Sequence, residues 1–305
     1  MVNTFGTLTF SSSTYPDAIT KLKVTGGADT NDTVSFTSAT LNIAPAIEVV
    51  SIAQIAGTVT APSGTTITKT GTGTLTLSGN SSATWGGVAG GVLLQVGTLT
   101  LSAANALGTT GGTVVSGGAT LKCNSANSLN GATITLTGTA SAQGRCVSGY
   151  MIVNAFSGGT IVFDNAGGPG GLGGYLEGYV EDYGPFGGSV IVKQFGTLYA
   201  RIGRGDVNHS MTFGTVTFAP SSVPDADRIL KVDATISRSV DLDLVTMSAN
   251  GTIQTLCSGP LGTRLQNGIT GAGNLNKTGS GSLTLAGTSS GFKGGLDCHR
   301  RHGVA

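Results

Sequence analysis

A short strand-like motif recurs at a regular spacing in the segment 67–108. The pentapeptide Gly-Thr-Leu-Thr-Leu occupies 73–77 and returns at 97–101, and a related start lies at 118–121. Thr and Leu alternate in each copy, which is the pattern of a β-strand with one buried face. Glycines bound each copy, so each strand is predicted to be short and to end in a turn. A strand that returns at this interval predicts a solenoid, in which each turn buries its apolar face against the neighbouring turns.

The composition favours a folded all-β chain over a disordered one. Glycine accounts for 51 of the 305 residues and charged residues for only 10%, a bias that by itself would suit a disordered segment. Against this, 39% of the residues are apolar, and many of them alternate with Thr, so a packed β core can form. Long Lys- and Glu-rich helical patterns are lacking. The predicted fold class is therefore all-β, a parallel β-helix.

The chain also contains a long internal repeat. Residues 5–24 and 213–232 are identical at 12 of 20 positions without gaps, an offset of 208 residues (213 less 5). Residues 67–82 and 275–290 are identical at 10 of 16 positions with the same offset (275 less 67). These matches predict one β-helix domain over 1–296, made of a repeat unit at 5–212 and the start of a second unit at 213–296. We therefore expect the chain to be a fragment of a longer repeat protein.

The tail of the chain, 297–305, departs from this pattern. It contains the basic run His299-Arg300-Arg301-His302 where the first copy predicts Gly, Val and Thr. Codons for Cys-His-Arg-Arg-His-Gly, read one base later, can encode Val-Thr-Gly-Gly-Thr, which is repeat-like. We hypothesise an out-of-frame tail; the alternative is a genuine basic tail. Resequencing the gene across codon 296 tests the hypothesis, and an intact reading frame would refute it.

The repeated stretch resembles a known family. Residues 69–80 (KTGTGTLTLSGN), Gly86-Gly87, 96–101 and 104–108 are similar to the passenger-associated β-strand repeat of bacterial autotransporters, and 277–287 match it in part. The resemblance implies a right-handed parallel β-helix that is exported to the cell surface or secreted in a Gram-negative outer-membrane context. It also implies an export signal and a C-terminal outer-membrane barrel, neither of which the chain shows. Any membrane attachment is therefore expected to come through a missing barrel or anchor.

The remaining sequence offers little support for catalysis or nucleic-acid binding. The net charge is +1 and there is no extended basic cluster, so a nucleic-acid partner is not expected. Asp241 and Asp243 alternate with leucines and are predicted to face solvent. Neither a nucleophile–base motif nor a metal-ligand spacing occurs. We therefore predict no enzyme activity, no catalytic residue, no metal site and no cofactor.

Aromatic residues cluster in the least regular part of the chain. The segment 163–188 is rich in glycine and is predicted to be a projecting loop or a distorted turn. It carries Tyr175, Tyr179, Tyr183 and Phe186, whose rings could form a ligand-binding platform for sugars or a partner surface. The alternative is that the rings pack this segment onto the solenoid.

Two of the four cysteines are separated by about one predicted turn. These are Cys123 and Cys146, and stacked positions would bring their Cα atoms within disulfide reach. A ladder of buried free thiols is an equally good interpretation. Cys257 and Cys298 have no such relation.

These observations predict a structural role. The expected function is that of a surface or secreted passenger or stalk, in adhesion or an extracellular fibre. The alternative is a polysaccharide-binding or polysaccharide-cleaving β-helix protein. Expected partners are other copies joined end to end through exposed strand edges, and glycans or a host or neighbouring surface.

Overall fold

The structure, a computed structural model, describes residues 1–12, 20–26, 32–81, 85, 91–108, 112–125, 127–129, 131–138, 145–148, 159–164, 174–180, 188–202, 210–223, 227–234, 239–257 and 262–298. Within these ranges every regular element is a β-strand. The strands stack in parallel as a β-solenoid, which confirms the predicted all-β parallel fold.

The chain divides into two compact units, and the strands of each unit fall into three runs of parallel sheet, which are labelled A1, B1 and C1 in unit 1 and A2, B2 and C2 in unit 2. Unit 1 comprises Met1–Thr135, Arg145–Gly149 and Ala155–Gly159. Its strands, numbered in chain order, are β1 (Val2–Phe5), β2 (Leu8–Phe10), β3 (Lys21–Val24), β4 (Thr33–Phe36), β5 (Ala39–Leu41), β6 (Ala46–Val49), β7 (Ile52–Ile55), β8 (Val59–Thr60), β9 (Thr66–Thr70), β10 (Thr74–Leu77), β11 (Gly91–Leu94), β12 (Thr98–Leu101), β13 (Gly112–Val115), β14 (Thr120–Cys123), β15 (Thr133–Leu136), which contains the division between the units, and β16 (Arg145–Ser148).

Strands β1 to β9 of unit 1 visit three sheets in turn, and β10 to β14 alternate between two of them. Sheet A1 has the order β1-β4-β7-β10-β12-β14-β16, sheet B1 the order β2-β5-β8, and sheet C1 includes β3-β6-β9-β11-β13. Each paired strand therefore meets the strand of the next turn and not its neighbour in sequence, which is the connectivity of a solenoid.

Unit 2 comprises Leu136–Gly144, Tyr150–Asn154 and Thr160–Ala305. Its strands are β17 (Thr160–Phe163), β18 (Gly174–Val180), β19 (Ser189–Val192), β20 (Gly196–Ile202), β21 (Ser210–Phe213), β22 (Val216–Phe218), β23 (Ile229–Ala234), β24 (Ser239–Leu242), β25 (Val245–Met247), β26 (Gly251–Thr255), β27 (Thr263–Leu265), β28 (Ile269–Gly271), β29 (Leu275–Thr278), β30 (Leu283–Leu285) and β31 (Leu296–Cys298). Sheet A2 has the order β21-β24-β27-β30, sheet B2 the order β17-β19-β22-β25-β28, and sheet C2 the order β18-β20-β23-β26-β29-β31.

The two Gly-Thr-Leu-Thr-Leu motifs stack directly on each other. β10 pairs with β12 in parallel, with Leu75 opposite Leu99 and Leu77 opposite Leu101. β14 continues the ladder, with Leu121 opposite Leu99. All five leucines are buried. Alternation puts one face of each strand inside, and the fixed register stacks like side chains into continuous apolar columns, each buried leucine contributing about 2 kcal/mol by burial.

Corners between strands use residues that tolerate positive φ. Gly97, which precedes β12, has φ 78°, and an added Cβ there would lie 2.5 Å from the Gly71 carbonyl oxygen of the previous turn. Asn105 and Asn127 have φ 51° and 56°, and the Asn105 amide donates to the Asn127 carbonyl at 3.0 Å. The close stacking of backbone on backbone therefore explains why the corners are rich in glycine and asparagine.

The 208-residue offset relates whole strands of the two units. β1, β2 and β3 correspond to β21, β22 and β23, and β9 and β10 correspond to β29 and β30. Sheets A1, B1 and C1 therefore correspond to sheets A2, B2 and C2 over these strands. The compact units do not coincide with the repeat units, because the repeat boundary at 212–213 lies inside unit 2. The domain assignment over 1–296 stays a prediction, and 299–305 of the predicted tail lie outside the described residues.

Candidate functional site

The aromatic segment contains a regular strand. Tyr175 and Tyr179 lie in β18, which pairs in parallel with β20, placing Tyr175 opposite Thr197 and Tyr179 opposite Arg201. The expectation of a loop or distorted turn is therefore wrong for Gly174–Val180. The glycines within and around this strand obscure its alternation in the sequence. Tyr183 and Phe186 lie outside the described residues, and the aromatic binding platform stays a prediction.

The premise of the predicted disulfide does not hold. β14 pairs with β16 so that Cys146 lies opposite Leu121, while Cys123 lies opposite Ser148. The local turn is therefore longer than the spacing of the two cysteines, and they do not occupy stacked positions. Cys123 is a buried free thiol in the structure. The structure therefore gives no geometric support for the disulfide. Cys123 fits the alternative interpretation of a buried free thiol.

A bidentate ion pair links two turns of unit 2. Arg264 Nε donates to Asp241 Oδ1 at 2.7 Å and Arg264 Nη2 donates to Asp241 Oδ2 at 2.6 Å. The two residues are register partners on β24 and β27 of sheet A2. The pairing with Asp241 raises the pKa of the Arg264 guanidinium above its usual value. This fork geometry matches both carboxylate oxygens and fixes the register of the two turns.

Asp241 is buried, so its predicted exposure is wrong. Only 3% of the residue is accessible to solvent. Alternation with Leu242 and Leu244 does not decide its burial, because Arg264 of the following turn covers it. Asp243 is half-buried and accepts a hydrogen bond from Asn267 Nδ2 at 2.6 Å. Both carboxylates are therefore engaged by the next turn.

Lys69 is a fully buried lysine, which the sequence pattern does not predict. Its Nζ donates to the carbonyl oxygens of Thr70 at 3.2 Å, Gly71 at 2.6 Å and Val96 at 3.0 Å. Burial lowers the pKa of the Lys69 ammonium from 10.5 to about 8. One side chain thus satisfies carbonyls in two successive turns at the corner before β10.

One of these three contacts recurs at the repeat position, where Lys277 is half-buried. Lys277 Nζ donates to the Gly279 carbonyl at 2.7 Å, as Lys69 does to Gly71 two residues on. The signal is present in the sequence as Lys-Thr-Gly-x-Gly at 69–73 and 277–281. The motif does not predict that its lysine is buried, because a lysine beside glycines is normally expected in solvent.

Other polar side chains also bridge neighbouring turns. Glu48 on β6 forms ion pairs with Lys21 and Lys23 on β3, and the hydrogen bond from Lys21 is the main cause that lowers the pKa of the Glu48 carboxyl. The backbone N–H of Asn274 donates to Asn250 Oδ1 at 2.9 Å, and the backbone N–H of Gly295 donates to Asn274 Oδ1 at 2.7 Å. These contacts hold turns to each other along the stack.

Comparisons with known proteins add no relative: no family model, no curated protein and no solved structure matches the chain. Over the described ranges, no group of three or more His, Cys, Asp or Glu side chains is placed to hold a metal ion. In the same part of the chain no helix has the length and apolar character needed to cross a membrane. The class that the fold defines is a parallel β-solenoid with internal repeats.

Proposed function

We propose that the chain is a structural module, a stalk or passenger segment of a surface-exposed or secreted protein. The observation that carries the proposal is the use of polar side chains. Asp241, Arg264 and Lys69 are taken up in contacts between successive turns. Side chains employed in this way stabilise the stack and are not available to a substrate.

The same stacking suits a protein whose task is to hold other parts at a distance. A solenoid is stabilised by contacts between neighbouring turns, so turns can be added without redesigning a central core. The repetition at an offset of 208 residues supports this use of the fold. The resemblance of 69–108 to the autotransporter repeat supports export to a cell surface, and adhesion or fibre formation there.

Surface location is tested in the cells that make the protein. Antibodies against the purified chain should label intact cells or detect the chain in the culture supernatant, and external protease should remove the cell-bound signal. A matched cytoplasmic protein serves as the control for cell integrity. Labelling that appears only after permeabilisation would contradict the proposal.

The structural role is tested separately with polysaccharides. The purified chain is applied to a glycan array and assayed for polysaccharide cleavage, together with a Tyr175→Ala/Tyr179→Ala variant. We expect neither selective binding nor cleavage. Selective binding that the double substitution abolishes would replace the structural proposal with a polysaccharide-binding function.

A further inference from the structure

The described residues of unit 2 include two Asn-Gly pairs, at 250–251 and 267–268. Asparagine is one of the thermally labile residues, and a following glycine has no side chain to hinder attack by its backbone nitrogen on the asparagine side chain. Asn250 and Asn267 are both exposed to solvent. The two pairs are therefore equally suited by sequence to lose the side-chain amide, and a difference between them has to come from the fold.

The next turn holds both reacting groups of the first pair. The Gly251 N–H donates to the Asn274 carbonyl at 3.0 Å, and Asn250 Oδ1 accepts from the Asn274 N–H at 2.9 Å. Gly251 also opens β26, where an added Cβ would overlap the ring of Phe218. An attack by the Gly251 nitrogen on Asn250 therefore requires both hydrogen bonds to break and the start of the strand to leave its sheet.

The second pair is held differently. The Gly268 N–H donates to the Leu265 carbonyl at 3.4 Å, which is longer than the usual range of about 2.7–3.2 Å, so the attacking nitrogen is weakly restrained. The side-chain amide is restrained instead, because Asn267 Nδ2 donates to Asp243 Oδ1 at 2.6 Å. The backbone N–H of Asn267 also donates to the Asp243 carbonyl, at 2.7 Å. Asp243 of the preceding turn thus clamps the group that would leave.

We propose that Asn267 is a site of spontaneous deamidation, and that Asp243 sets the rate by restraining the side-chain amide. The Gly268 nitrogen attacks Asn267 Cγ and forms a C–N bond that closes a five-membered succinimide. The bond from Cγ to Nδ2 breaks, and the Gly268 proton leaves with this nitrogen as ammonia. Water then opens the ring at either carbonyl and leaves aspartate or iso-aspartate at position 267. Nothing is oxidised or reduced, and water is the only co-reactant.

Both products disturb the contact with the preceding turn. A carboxylate at position 267 has no N–H to donate, so it faces the Asp243 carboxylate where a hydrogen bond of 2.6 Å stood, and like charges this close repel. The iso-aspartyl product also lengthens the main chain by one CH₂ group, at a corner where the Gly268 backbone packs closely on the Thr288 carbonyl. Deamidation should therefore loosen the corner between β27 and β28.

The site is tested by ageing the purified full-length chain in its folded state and mapping its peptides by mass spectrometry. Asn267 should convert at least roughly tenfold faster than Asn250, because the attack at Asn250 has to break a further backbone hydrogen bond. In the chain unfolded by denaturant the two rates should become similar. Equal rates in the folded chain, faster conversion at Asn250, or an Asn267 that stays intact while the unfolded chain converts would overturn the proposal.

The clamp is tested with Asp243→Ala. Conversion at Asn267 should rise at least roughly threefold, while the rate at Asn250 in the same digest stays unchanged and reports an intact fold. A rate at Asn267 that does not rise would refute the role of Asp243. If Asn250 also accelerates, the milder Asp243→Asn decides in the same way, because it keeps the shape of the side chain and only weakens the acceptor.

The loosening of the corner is tested with a charge exchange. Asn267→Asp reproduces one product, and hydrogen exchange at Thr263–Leu265 and Ile269–Gly271 should be faster than in the wild type. Asp243→Asn/Asn267→Asp restores one amide and one carboxylate with their places exchanged, so exchange should return towards the wild-type rate. Wild-type exchange in the single variant, or no recovery in the double variant, would overturn this consequence.

The inference goes beyond the proposed structural role and does not depend on it. Deamidation is measured on the purified chain, whereas surface location is measured on intact cells. An unmodified Asn267 together with labelled cells would remove the inference and leave the proposed function standing.

Discussion

The ion pair between Asp241 and Arg264 yields the sharpest test of how the turns are held together. Arg264→Met keeps the aliphatic part of the side chain but removes both donors, which lie 2.7 Å and 2.6 Å from the carboxylate oxygens. Asp241 is 3% exposed, so its charge would be left buried without its guanidinium. Breaking a buried pair in this way costs about 3–5 kcal/mol.

The double variant separates the pair from its surroundings. Asp241→Leu/Arg264→Met removes both charges at once, and replacing a buried ion pair by apolar residues is often neutral or stabilising. We therefore expect the double variant to recover to within about 1–2 kcal/mol of the wild type. The single variant should thus be less stable than the double variant, although it carries fewer substitutions.

The assay is denaturant unfolding followed by circular dichroism, with hydrogen exchange at Ser239–Leu242 and Thr263–Leu265 as the local measurement. Local exchange matters because a solenoid need not unfold in one cooperative step. Lys193→Met is the matched control in the same unit. Its ion pair with Asp164 spans 3.5 Å and is partly exposed, so we expect a loss below about 1 kcal/mol. An equally small loss in Arg264→Met, or a double variant no better than the single, would refute the reasoning.

Three further predictions concern unit 1 and the local turn at β14. Burial lowers the pKa of Lys69 from 10.5 to about 8, so the unfolded chain binds more protons between these pH values and the free energy of unfolding should rise with pH across that window. Lys69→Met should abolish that rise, which we expect to be roughly 1–3 kcal/mol in the free energy of unfolding, measured by denaturant unfolding at increasing pH. A variant whose free energy of unfolding changes with pH in parallel with that of the wild type would contradict the burial argument. Gly97→Ala should cost roughly 3 kcal/mol or more, because its Cβ would meet the previous turn, whereas Gly118→Ala, at φ 82° with no atom within 4 Å, should cost about 1–2 kcal/mol. Equal losses of stability in the Gly97→Ala and Gly118→Ala variants, measured by thermal unfolding, would count against close backbone stacking at Gly97. Cys123 should be alkylated in the denatured, unreduced protein, as mass spectrometry detects, and protection of both Cys123 and Cys146 until reductant is added would restore the disulfide.

Most of the fold can be predicted from the sequence, because the tertiary contacts of a solenoid follow from a short pattern that repeats along the chain. Thr–Leu alternation at 73–77 and 97–101 predicts short strands, and their regular interval predicts that they stack, as the pairing of Leu75 with Leu99 confirms. The residues that cover a leucine lie in the neighbouring turns, so period and spacing carry most of the information needed for the core.

Register at irregular turns cannot be read in the same way. The spacing of Cys123 and Cys146 is close to one turn, but the turn that follows β14 is longer than this spacing, and Cys146 meets Leu121. The difference places Cys146 two positions away from Cys123 along the ladder. Turn length varies with each loop, so only the assembled sheet defines the partner.

The polar contacts are the part that only the tertiary structure decided. Alternation placed Asp241 on the outside, yet Arg264 of the next turn covers it. Nothing near Lys69 in sequence indicates the Val96 carbonyl of the following turn, which its ammonium reaches. A strand's own pattern determines which face a residue occupies, whereas its burial depends on the length and reach of side chains in the next turn. The sequence by itself therefore determined the stack and its repeat, and the tertiary structure decided which polar groups hold the turns together.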